Sequence, residues 1–391
     1  MLACARRLVV GTVPTSALPR RPILVTVIES HAMFVRNCWY TIAWDHEVPA
    51  DALFTRTVLG EAILLFRTAD GEIAALRDRC CHRLAPLSKG RKEGDCVRCG
   101  YHGLLFDASG RCVEIPGADT IPEKARVQRY SIVVKNKWVF VWMGDPAKAD
   151  IALLPDNFSC DSPDWDYVPG YLHYDTPQPL VCDNLLDFSH LSYVHENTLG
   201  GSTAIARARP TIESVPRGIR VTRHIPDVPS PPYYREVRGI VGNLDRWFIY
   251  DFVLPGTLLM DSGGRPAGAP FGDNRGGVRH HSCQTVTPET DRSTHYFFQQ
   301  ARHTSEGDHS IAEAAYRMLC RAFEEDRDMI TAQSRAIDAD PGAPMLPLAM
   351  DAAVVRFRKL VAEMVAAEAR DGSAETAVQE PAAVIARTSR R

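Results

Sequence analysis

Two short clusters of cysteine and histidine in the first third of the chain have the residue types and spacing of a metal site. One is Cys80-x-His82, the other is Cys99-x-x-His102, and sixteen residues separate them. A zinc finger usually takes its cysteines from one arm and its histidines from the other. Here each arm offers one thiolate and one imidazole. This interleaving favours two metal ions, with each loop reaching both of them.

Two further cysteines compete for the same role. Cys81 would lose the one-residue spacing to His82, and a pair formed by Cys96 and Cys99 would leave both histidines without a role. A cluster in which one iron takes two cysteines and the other takes two histidines uses all four remaining donors, and this is the Rieske [2Fe-2S] centre. A structural zinc site is the alternative. The predicted cluster ligands are Cys80, His82, Cys99 and His102.

A second histidine pair lies in the apolar segment DNLLDFSHLSYVH, for which the pattern predicts a helix near Asp183–Glu196. Five residues apart on a regular helix, His190 and His195 would point about 140° apart, at about 100° per residue. A helix break or a π-type widening would bring the two side chains together, and such distortions favour functional sites. Two hydrogen-bonded core histidines are the alternative interpretation.

An acidic residue on a later helix is the candidate third ligand. The predicted helix Ser310–Ile337 carries an apolar stripe, and on a helical wheel Asp326 falls near its middle and Glu325 at its edge. Glu324 and Asp328 point outward. An unpaired carboxylate facing a core is costly, and a bound cation removes that cost. Two histidines and one carboxylate leave positions on Fe(II) open for dioxygen and substrate. The predicted mononuclear iron site is His190, His195 and Asp326.

The elements that must position these residues fall into two regions. From about Trp39 to Gly144, short apolar runs alternate with turn residues, which predicts a small all-β domain with the metal loops inserted. From Tyr167 onward, longer strands precede the long helix and a last helix near Met350–Ala367. The Gly- and Pro-rich segment Asp261–Gly277 is expected to be a long loop. The predicted domains are residues 33–148 and 149–367, with a disordered extension over 1–32 and a disordered tail over 368–391.

The composition is that of an ordinary soluble protein from a reducing compartment. The 391 residues are 45% hydrophobic and 24% charged, and a net charge of -3 gives no reason to expect a nucleic acid partner. No apolar run approaches the roughly 18 residues needed to cross a bilayer. Eleven cysteines, six of them between Cys80 and Cys160, indicate a reduced, cytoplasmic chain with a metal site rather than a disulfide scaffold. A targeting peptide is the alternative interpretation of the arginine-containing N-terminus.

The Cys/His motif, DNLLDFSHLSYVH and FEEDRDM, in this order, resemble the oxygenase component of Rieske non-haem iron oxygenases. The resemblance covers about Met33–Ala367 and is narrowest to the vanillate O-demethylase, toluenesulfonate methyl-monooxygenase and dicamba O-demethylase branch. It implies an α+β fold, in which an all-β Rieske domain precedes a helix-grip catalytic domain made of an antiparallel sheet and a long helix. It also implies the same cluster and iron ligands. Cys81, where relatives often carry proline, and the N-terminal extension depart from the pattern.

One acidic residue between the two sites gains a role from this resemblance. Asp187 lies three residues before His190, where its carboxylate could accept the second N–H of a ligand histidine. The resemblance implies that Asp187 connects His102 of one subunit to His190 of the next in a homotrimer and carries electrons between the sites. A helix N-terminal acid favoured by the dipole is the alternative interpretation.

The resemblance also implies the reaction. The chain has no GxGxxG motif after a strand, so electrons are expected from a separate NAD(P)H-dependent reductase that carries flavin and a [2Fe-2S] cluster. The expected reaction, with dioxygen, is monooxygenation of a methyl or methoxy carbon on an aromatic acid. Ring cis-dihydroxylation is the alternative reaction. A non-catalytic electron carrier and a zinc-stabilised binding protein are alternatives of other classes, against which a second domain of roughly 200 residues argues.

Binding of an anionic substrate requires a cation or hydrogen-bond donors in the second domain. Five candidates lie on strand-like segments: Arg246, His280, His281, Gln284 and Arg302. Of these, the predicted substrate-binding residues are Arg246, His281 and Gln284. The triad alone permits several reactions, so which aromatic acid is oxidised depends on the shape of the pocket.

Overall fold

The computed structural model of the protein describes residues 34–270, 272–273, 275–307 and 309–371. The predicted extension over residues 1–32 lies outside the described residues, and so do residues 372–391 of the predicted tail. Along the described chain, a region of short strands precedes a region built around one large sheet with helices.

The first region contains ten short strands among the described residues, and they pair antiparallel in three small sheets. They are β1 (Trp39–Trp44), β2 (Phe54–Val58), β3 (Glu61–Arg67), β4 (Ile73–Arg77), β5 (Arg91–Glu93), β6 (Cys96–Arg98), β7 (Leu105–Asp107), β8 (Cys112–Glu114), β9 (Ile132–Lys135) and β10 (Trp138–Trp142). The sheet orders are β1-β10-β9, β2-β3-β4 and β5-β6-β7-β8. The two Cys/His motifs lie in the connections that follow β4 and β6.

The second region is built on one antiparallel sheet with eight strands in the described part of the chain. They are β11 (Trp165–Asp166), β12 (Gly170–Tyr174), β13 (Thr211–Val215), β14 (Gly218–Pro229), β15 (Asn243–Val253), β16 (Thr257–Pro266), β17 (Val278–Pro288) and β18 (Thr294–His303). The order is β11-β18-β17-β16-β15-β14-β13, and β12 also pairs with β18. Because side chains alternate between faces along a strand, every second residue of the long strands faces the helices.

Five α-helices are described, and the longest lies across the large sheet. They are α1 (Gln178–Leu186), α2 (Ala204–Arg207), α3 (Pro232–Arg238), α4 (His309–Ala339) and α5 (Ala352–Arg370). The ring of Phe323 on α4 packs 5.3 Å from Tyr296 and 4.8 Å from Phe298 of β18. None of the described helices is both long and apolar enough to span a membrane. The α+β class, with an all-β region before a sheet and a long helix, is confirmed.

Hydrogen bonds and a shared core join the two regions. The indole of Trp44 in β1 donates to the carbonyl of Gly170 (3.0 Å), and the Thr287 hydroxyl donates to the carbonyl of Thr41 (2.8 Å). A Cβ on Gly170 would lie 2.2 Å from the ring of Phe298, so glycine is needed for this close approach. The predicted boundary between residues 148 and 149 falls between two short 3-10 turns and stays a prediction.

Two predicted element boundaries are wrong. The expected loop Asp261–Gly277 begins inside a strand, since β16 runs to Pro266. Its glycines have a packing reason there, because a Cβ on Gly263 would lie 2.5 Å from the ring of Trp247. At the other end of the chain, α5 continues past residue 367 to Arg370. The buried Glu368 accepts hydrogen bonds from two backbone N–H groups at residues 36 and 37, so residues 368–370 are part of the fold.

Candidate functional site

The helix expected to carry both histidines is shorter than predicted. The predicted range was Asp183–Glu196, but α1 ends at Leu186. The next residue, Asp187, is extended (φ -123°, ψ 96°), and its carboxylate accepts hydrogen bonds from the N–H (2.9 Å) and the hydroxyl (2.6 Å) of Ser189. A short polar side chain in this position caps the turn that follows. The geometry is therefore a helix break, which was one of the two distortions proposed, and not a π-type widening.

The break brings His190 and His195 together at Asp326. The two imidazole centroids lie 5.2 Å apart. The Nε2 atoms lie 3.4 Å (His190) and 3.1 Å (His195) from the same carboxylate oxygen of Asp326. One ligand atom from each of the three residues lies within 4.8 Å of the others, so the three can hold one metal ion.

Hydrogen bonds on the far side of each ring orient the two imidazoles. The Nδ1 atom of His195 lies 2.9 Å from the Glu325 carboxylate, and Nδ1 of His190 lies 2.5 Å from the backbone carbonyl of Asp187. Because both partners are acceptors, Nδ1 of each ring carries the proton and Nε2 presents its lone pair. Two nitrogen lone pairs and a carboxylate therefore converge, which is the donor set of a cation site.

The electrostatics of the three residues also suit a cation. Asp326 is only 4% exposed, and the Asn184 side-chain amide donates to it (2.9 Å). Burial lowers the pKa of His190. Burial alone would lower the pKa of His195 too, but the carboxylates of Asp326 and Glu325 beside it raise it, because they favour a positive charge at this position. A buried carboxylate beside two imidazoles fits a divalent iron, since imidazole and carboxylate are suitable ligands for that ion.

The acidic residues of α4 divide as the helical wheel predicts. Asp326 is buried, whereas Glu324 and Asp328 are exposed. Glu325 lies at the edge of the stripe, and besides His195 it accepts from the hydroxyl of Thr198 (2.8 Å). The role of Glu325 in orienting His195 was not predicted. Its place at the edge of the apolar stripe, next to the ligand in sequence, was the only sign of it.

The geometry corrects one detail of the expectation for Asp187. We expected its carboxylate to accept the N–H of a ligand histidine, but its backbone carbonyl does so. The carboxylate instead caps Ser189 and lies 3.8 Å from the guanidinium of Arg223. The reason is the helix break, because an extended Asp187 turns its carbonyl toward His190 and its side chain away.

The two Cys/His loops place the thiols inside and the imidazoles outside. Cys80 and Cys99 are 1% and 2% exposed, whereas His82 and His102 are exposed and their ring centroids lie 4.6 Å apart. Both loops close a similar turn at their cysteine, with hydrogen bonds from the N–H of Leu84 to the Cys80 carbonyl (3.0 Å) and from Gly103 to the Cys99 carbonyl (3.1 Å). The structure therefore brings all four predicted ligands to one end of the domain.

The chemistry of these donors fits an iron–sulfur cluster. Burial raises the pKa of the Cys80 thiol to about 12, so a bound cation is needed to ionise it at neutral pH. The rival Cys96 lies within β6, paired with Glu93 and Asp107 on the neighbouring strands. The other rival, Cys81, is exposed. The four donors thus provide two buried thiols, which would bind iron as thiolates, and two surface imidazoles.

A cavity opens beside His190, His195 and Asp326. Its walls are mainly apolar and include two aromatic rings that pack against each other, Phe188 and Phe248, with centroids 5.4 Å apart. Further apolar side chains that line it are Leu191, Met260, Leu319 and Phe323. A largely apolar cavity with a few polar groups is the usual form of a small-molecule site.

Arg246 and Gln284, two of the three predicted substrate-binding residues, line this cavity. Arg246 is 4% exposed, and its two terminal nitrogens donate to the carbonyls of Gly200 (2.8 Å) and Leu199 (3.0 Å). Its Nε has no hydrogen-bond partner, and no carboxylate of the described residues pairs with it. Burial lowers the pKa of Arg246, and the ring of Tyr234 lies 5.5 Å from its guanidinium carbon.

The third predicted residue, His281, was a wrong choice. Its ring packs 4.4 Å from Trp165 and 4.9 Å from Phe158, on the opposite face of the sheet from the cavity. Side chains alternate along β17, so Gln284 and His281 cannot share a face. The polar cavity-lining residues that were not predicted are Asn184, Tyr233, Tyr234, Ser262, Ser282 and Gln300. Since alternate residues of a strand share a face, the choice of Gln284 would have indicated that Ser282 also faces the cavity.

Comparison with known proteins agrees with both sites. Residues 38–131 match the Rieske [2Fe-2S] domain, and residues 174–367 match the vanillate O-demethylase oxygenase C-terminal domain. The chain is 45% identical over 344 residues to the toluene-4-sulfonate monooxygenase system iron-sulfur subunit of Comamonas testosteroni, covering 86% of this chain and 98% of the relative. It is 31% identical over 353 residues to a vanillate O-demethylase oxygenase subunit of Pseudomonas sp., covering 86% and 96%. A crystal structure of dicamba monooxygenase bound to 3,6 dichlorosalicylic acid matches with a TM-score of 0.80 and 30% identity, covering 86% and 99%.

The chain therefore belongs to the Rieske non-haem iron oxygenases, as the oxygenase component of a monooxygenase. It is an oxidoreductase that acts with dioxygen, and its cofactors are a Rieske [2Fe-2S] cluster and a mononuclear iron. The predicted family, enzyme class and cofactors are confirmed. The assignment of individual ligands stays a prediction, which the geometry above supports.

The contact between Glu325 and His195 gives a test of the iron site. We expect Glu325→Ala to weaken binding of mononuclear iron by about 10- to 100-fold, because His195 loses the acceptor that fixes its tautomer and orientation. Chelator competition monitored through iron content measures this effect. Glu324→Ala, one residue away but exposed, is the matched control and should bind iron as the wild type does.

We expect Asp326→Ala to lose the mononuclear iron while the cluster spectrum persists. Loss of iron in Glu325→Ala with retention in Asp326→Ala would mean that Glu325 is the ligand.

Proposed function

We propose that this oxygenase component hydroxylates a methyl or methoxy carbon of an aromatic acid, with dioxygen and with electrons from an NAD(P)H-dependent flavin and [2Fe-2S] reductase. The observation that carries the proposal is the buried guanidinium of Arg246, which lines the same cavity as the three candidate iron ligands. Two relatives are named for toluene-4-sulfonate and for vanillate, both of which are aromatic acids.

In this proposal the two donor sets hold the two cofactors. His190 and His195 bind the mononuclear iron through Nε2, and Asp326 binds it through its carboxylate. An Fe(II) held by two histidines and one carboxylate keeps positions open and activates dioxygen. The cluster is held by Cys80, His82, Cys99 and His102.

Arg246 is the proposed anchor for the acid group. A buried charge without a counter-ion is costly, and the Nε–H of Arg246 has no acceptor. A carboxylate or sulfonate oxygen would accept from this N–H and neutralise the charge. The aromatic face of Tyr234 already stabilises the cation on another side. An aromatic acid satisfies these groups and fills the apolar remainder of the cavity.

The apolar walls direct one substituent of the ring toward the iron and exclude water. One atom of dioxygen enters the substrate and the other leaves as water, with two electrons and two protons consumed. A methoxy carbon hydroxylated in this way gives a hemiacetal that collapses to a phenol and formaldehyde. A ring methyl gives a benzylic alcohol.

Electrons are proposed to cross a subunit boundary within a homotrimer. His82 and His102 are exposed, so another subunit can meet them. The side chain of Asp187 is 18% exposed, and its backbone already holds His190. The proposed route runs from His102 of one subunit through Asp187 to His190 of the next. The cytoplasmic location of the chain stays a prediction.

The reaction is tested by supplying a reductase, NADH and a panel of methoxylated, methylated and plain aromatic acids. We expect formaldehyde or a benzylic alcohol at one product per NADH. A cis-dihydrodiol from a plain aromatic acid would contradict the proposal in favour of ring dioxygenation. Electron uptake with no oxidised product from any aromatic acid would contradict an oxygenase of this substrate class.

The anchoring role of Arg246 predicts a substrate-specific defect. We expect Arg246→Gln to raise KM for an aromatic acid by about tenfold or more, because a hydrogen bond to a charged group contributes about 1.5–3 kcal/mol. Arg246→Lys keeps the charge and should lose less. Arg220→Gln, on the solvent side of the same sheet, is the control. Iron content and the cluster spectrum show whether each variant is folded. An unchanged KM in a folded Arg246→Gln would exclude the anchor.

The proposed bridge predicts that Asp187→Asn keeps both metals and loses electron transfer between them. Asparagine can still accept from Ser189, so the local turn should persist, while the charge is removed. Single-turnover experiments that follow the cluster absorbance measure the transfer. Rapid oxidation of the cluster by this variant, at the wild-type rate, would refute the bridge. A monomer in solution would refute the proposed route between subunits.

A further inference from the structure

A chain of three polar side chains runs along the cavity wall from α3 across β18 to β17. The hydroxyl of Tyr233 donates to Oε1 of Gln300, and Nε2 of Gln300 donates to the hydroxyl oxygen of Ser282 (3.3 Å). Ser282 and Gln300 are direct partners across the two strands. Tyr233 and Ser282 are 3% and 4% exposed. All three side chains line the cavity, and the mechanism proposed above uses none of them.

The direction of these hydrogen bonds fixes what the wall offers to a ligand. Since Ser282 accepts from Gln300, its own O–H is left to donate, and the described residues provide no acceptor for it. Gln284 has the same property, because its Oε1 accepts from the Tyr296 hydroxyl (2.7 Å). Its Nε2 is thereby turned away from Tyr296 and bonds to no other described residue. Ser282 and Gln284 therefore present two donors.

Gln284 lies near the helix that carries Asp326, and both donors are separated from Arg246 along the sheet. The Tyr296 ring that holds Gln284 packs 5.3 Å from Phe323, which is three residues before Asp326 on α4. Arg246 pairs with residue 264, which pairs with residue 278, four residues before Ser282. At about 3.4 Å per residue and about 4.8 Å between strands, the Cα atoms of Arg246 and Ser282 are about 17 Å apart. The donors and the cation are thus placed to meet different groups of a ligand.

We propose that Ser282 and Gln284 are specificity-determining residues that bind an oxygen attached to the reacting carbon, and that Tyr233, Gln300 and Tyr296 are positioning residues that keep them as donors. This inference rests on the proposed function, and it narrows the preferred substrate to a methoxylated aromatic acid. The ether oxygen accepts a hydrogen bond, whereas a ring methyl cannot. A methyl substrate leaves the buried donors unpaired, which makes its binding free energy less favourable. A methoxy substrate accepts their hydrogen bonds and does not incur this cost.

The test compares a methoxylated aromatic acid with the acid that carries a methyl group at the same ring position. We expect the wild type to prefer the methoxy substrate by about tenfold or more in kcat/KM, since one hydrogen bond of about 1.4 kcal/mol corresponds to a factor of ten. Ser282→Ala should lower kcat/KM for the methoxy substrate by about tenfold and should not lower it for the methyl substrate, because the donor that the methyl substrate leaves unpaired is removed. The variant uses the full holoenzyme with its reductase.

A double-mutant cycle tests whether Tyr233 acts through Ser282. Tyr233→Phe releases the Gln300 amide, so the methoxy preference should fall, and Tyr233→Phe with Ser282→Ala should be no worse than Ser282→Ala alone. His281→Ala, on the opposite face of β17, is the matched control and should keep the preference. Equal losses for both substrates in Ser282→Ala, or additive losses in the double variant, would overturn the proposal. A wild type that oxidises both acids without preference would overturn it alone, whereas a wild type that oxidises neither would overturn the proposed function as well.

Discussion

The structure depends on one buried carboxylate. Asp326 lies in the apolar stripe of α4 and is 4% exposed, yet the groups nearest to it are two imidazole nitrogens whose protons are held on the other side of their rings. Without a cation, this arrangement places a negative charge against lone pairs in a core. The helix break at Asp187, the partner Glu325 and the amide of Asn184 have a common consequence. They prepare a site that a metal ion would complete.

The cavity extends this preparation along the inner face of the sheet. Ser282 and Gln284 on β17 carry neutral donors, and Arg246 on β15 carries a charge. Aromatic and aliphatic side chains lie between them. Strands of fixed spacing hold the donors and the cation apart, so the sheet sets the distance between the ligand groups that they can bind. A long antiparallel sheet is suited to holding such groups in place. Side chains on neighbouring strands can be charged, neutral polar or apolar while the backbone of the sheet stays the same.

The spacing of residues in the sequence predicts which candidate metal ligands come together better than it predicts which residues line the cavity. The interleaved cysteines and histidines, the five-residue interval between His190 and His195, and the place of Asp326 on the helical wheel each constrain geometry locally. The pocket depends on which face of each strand is inward, and a single sequence does not state this directly. The choice of His281 with Gln284 shows the limit, since residues three apart on a strand face opposite sides. Likewise, the glycines of residues 261–277 led us to predict a loop. One of them, Gly263, instead lies within the sheet and makes room for the ring of Trp247.

The most direct test of the central claim is a count of metal and sulfide in the purified protein. A Rieske cluster contributes two iron atoms and two acid-labile sulfides, and the site at Asp326 contributes one more iron, so we predict about three irons and about two sulfides per chain. A ratio of two irons to two sulfides in fully loaded, active protein would contradict a mononuclear site at His190, His195 and Asp326. Zinc in place of iron at both sites would contradict the whole account.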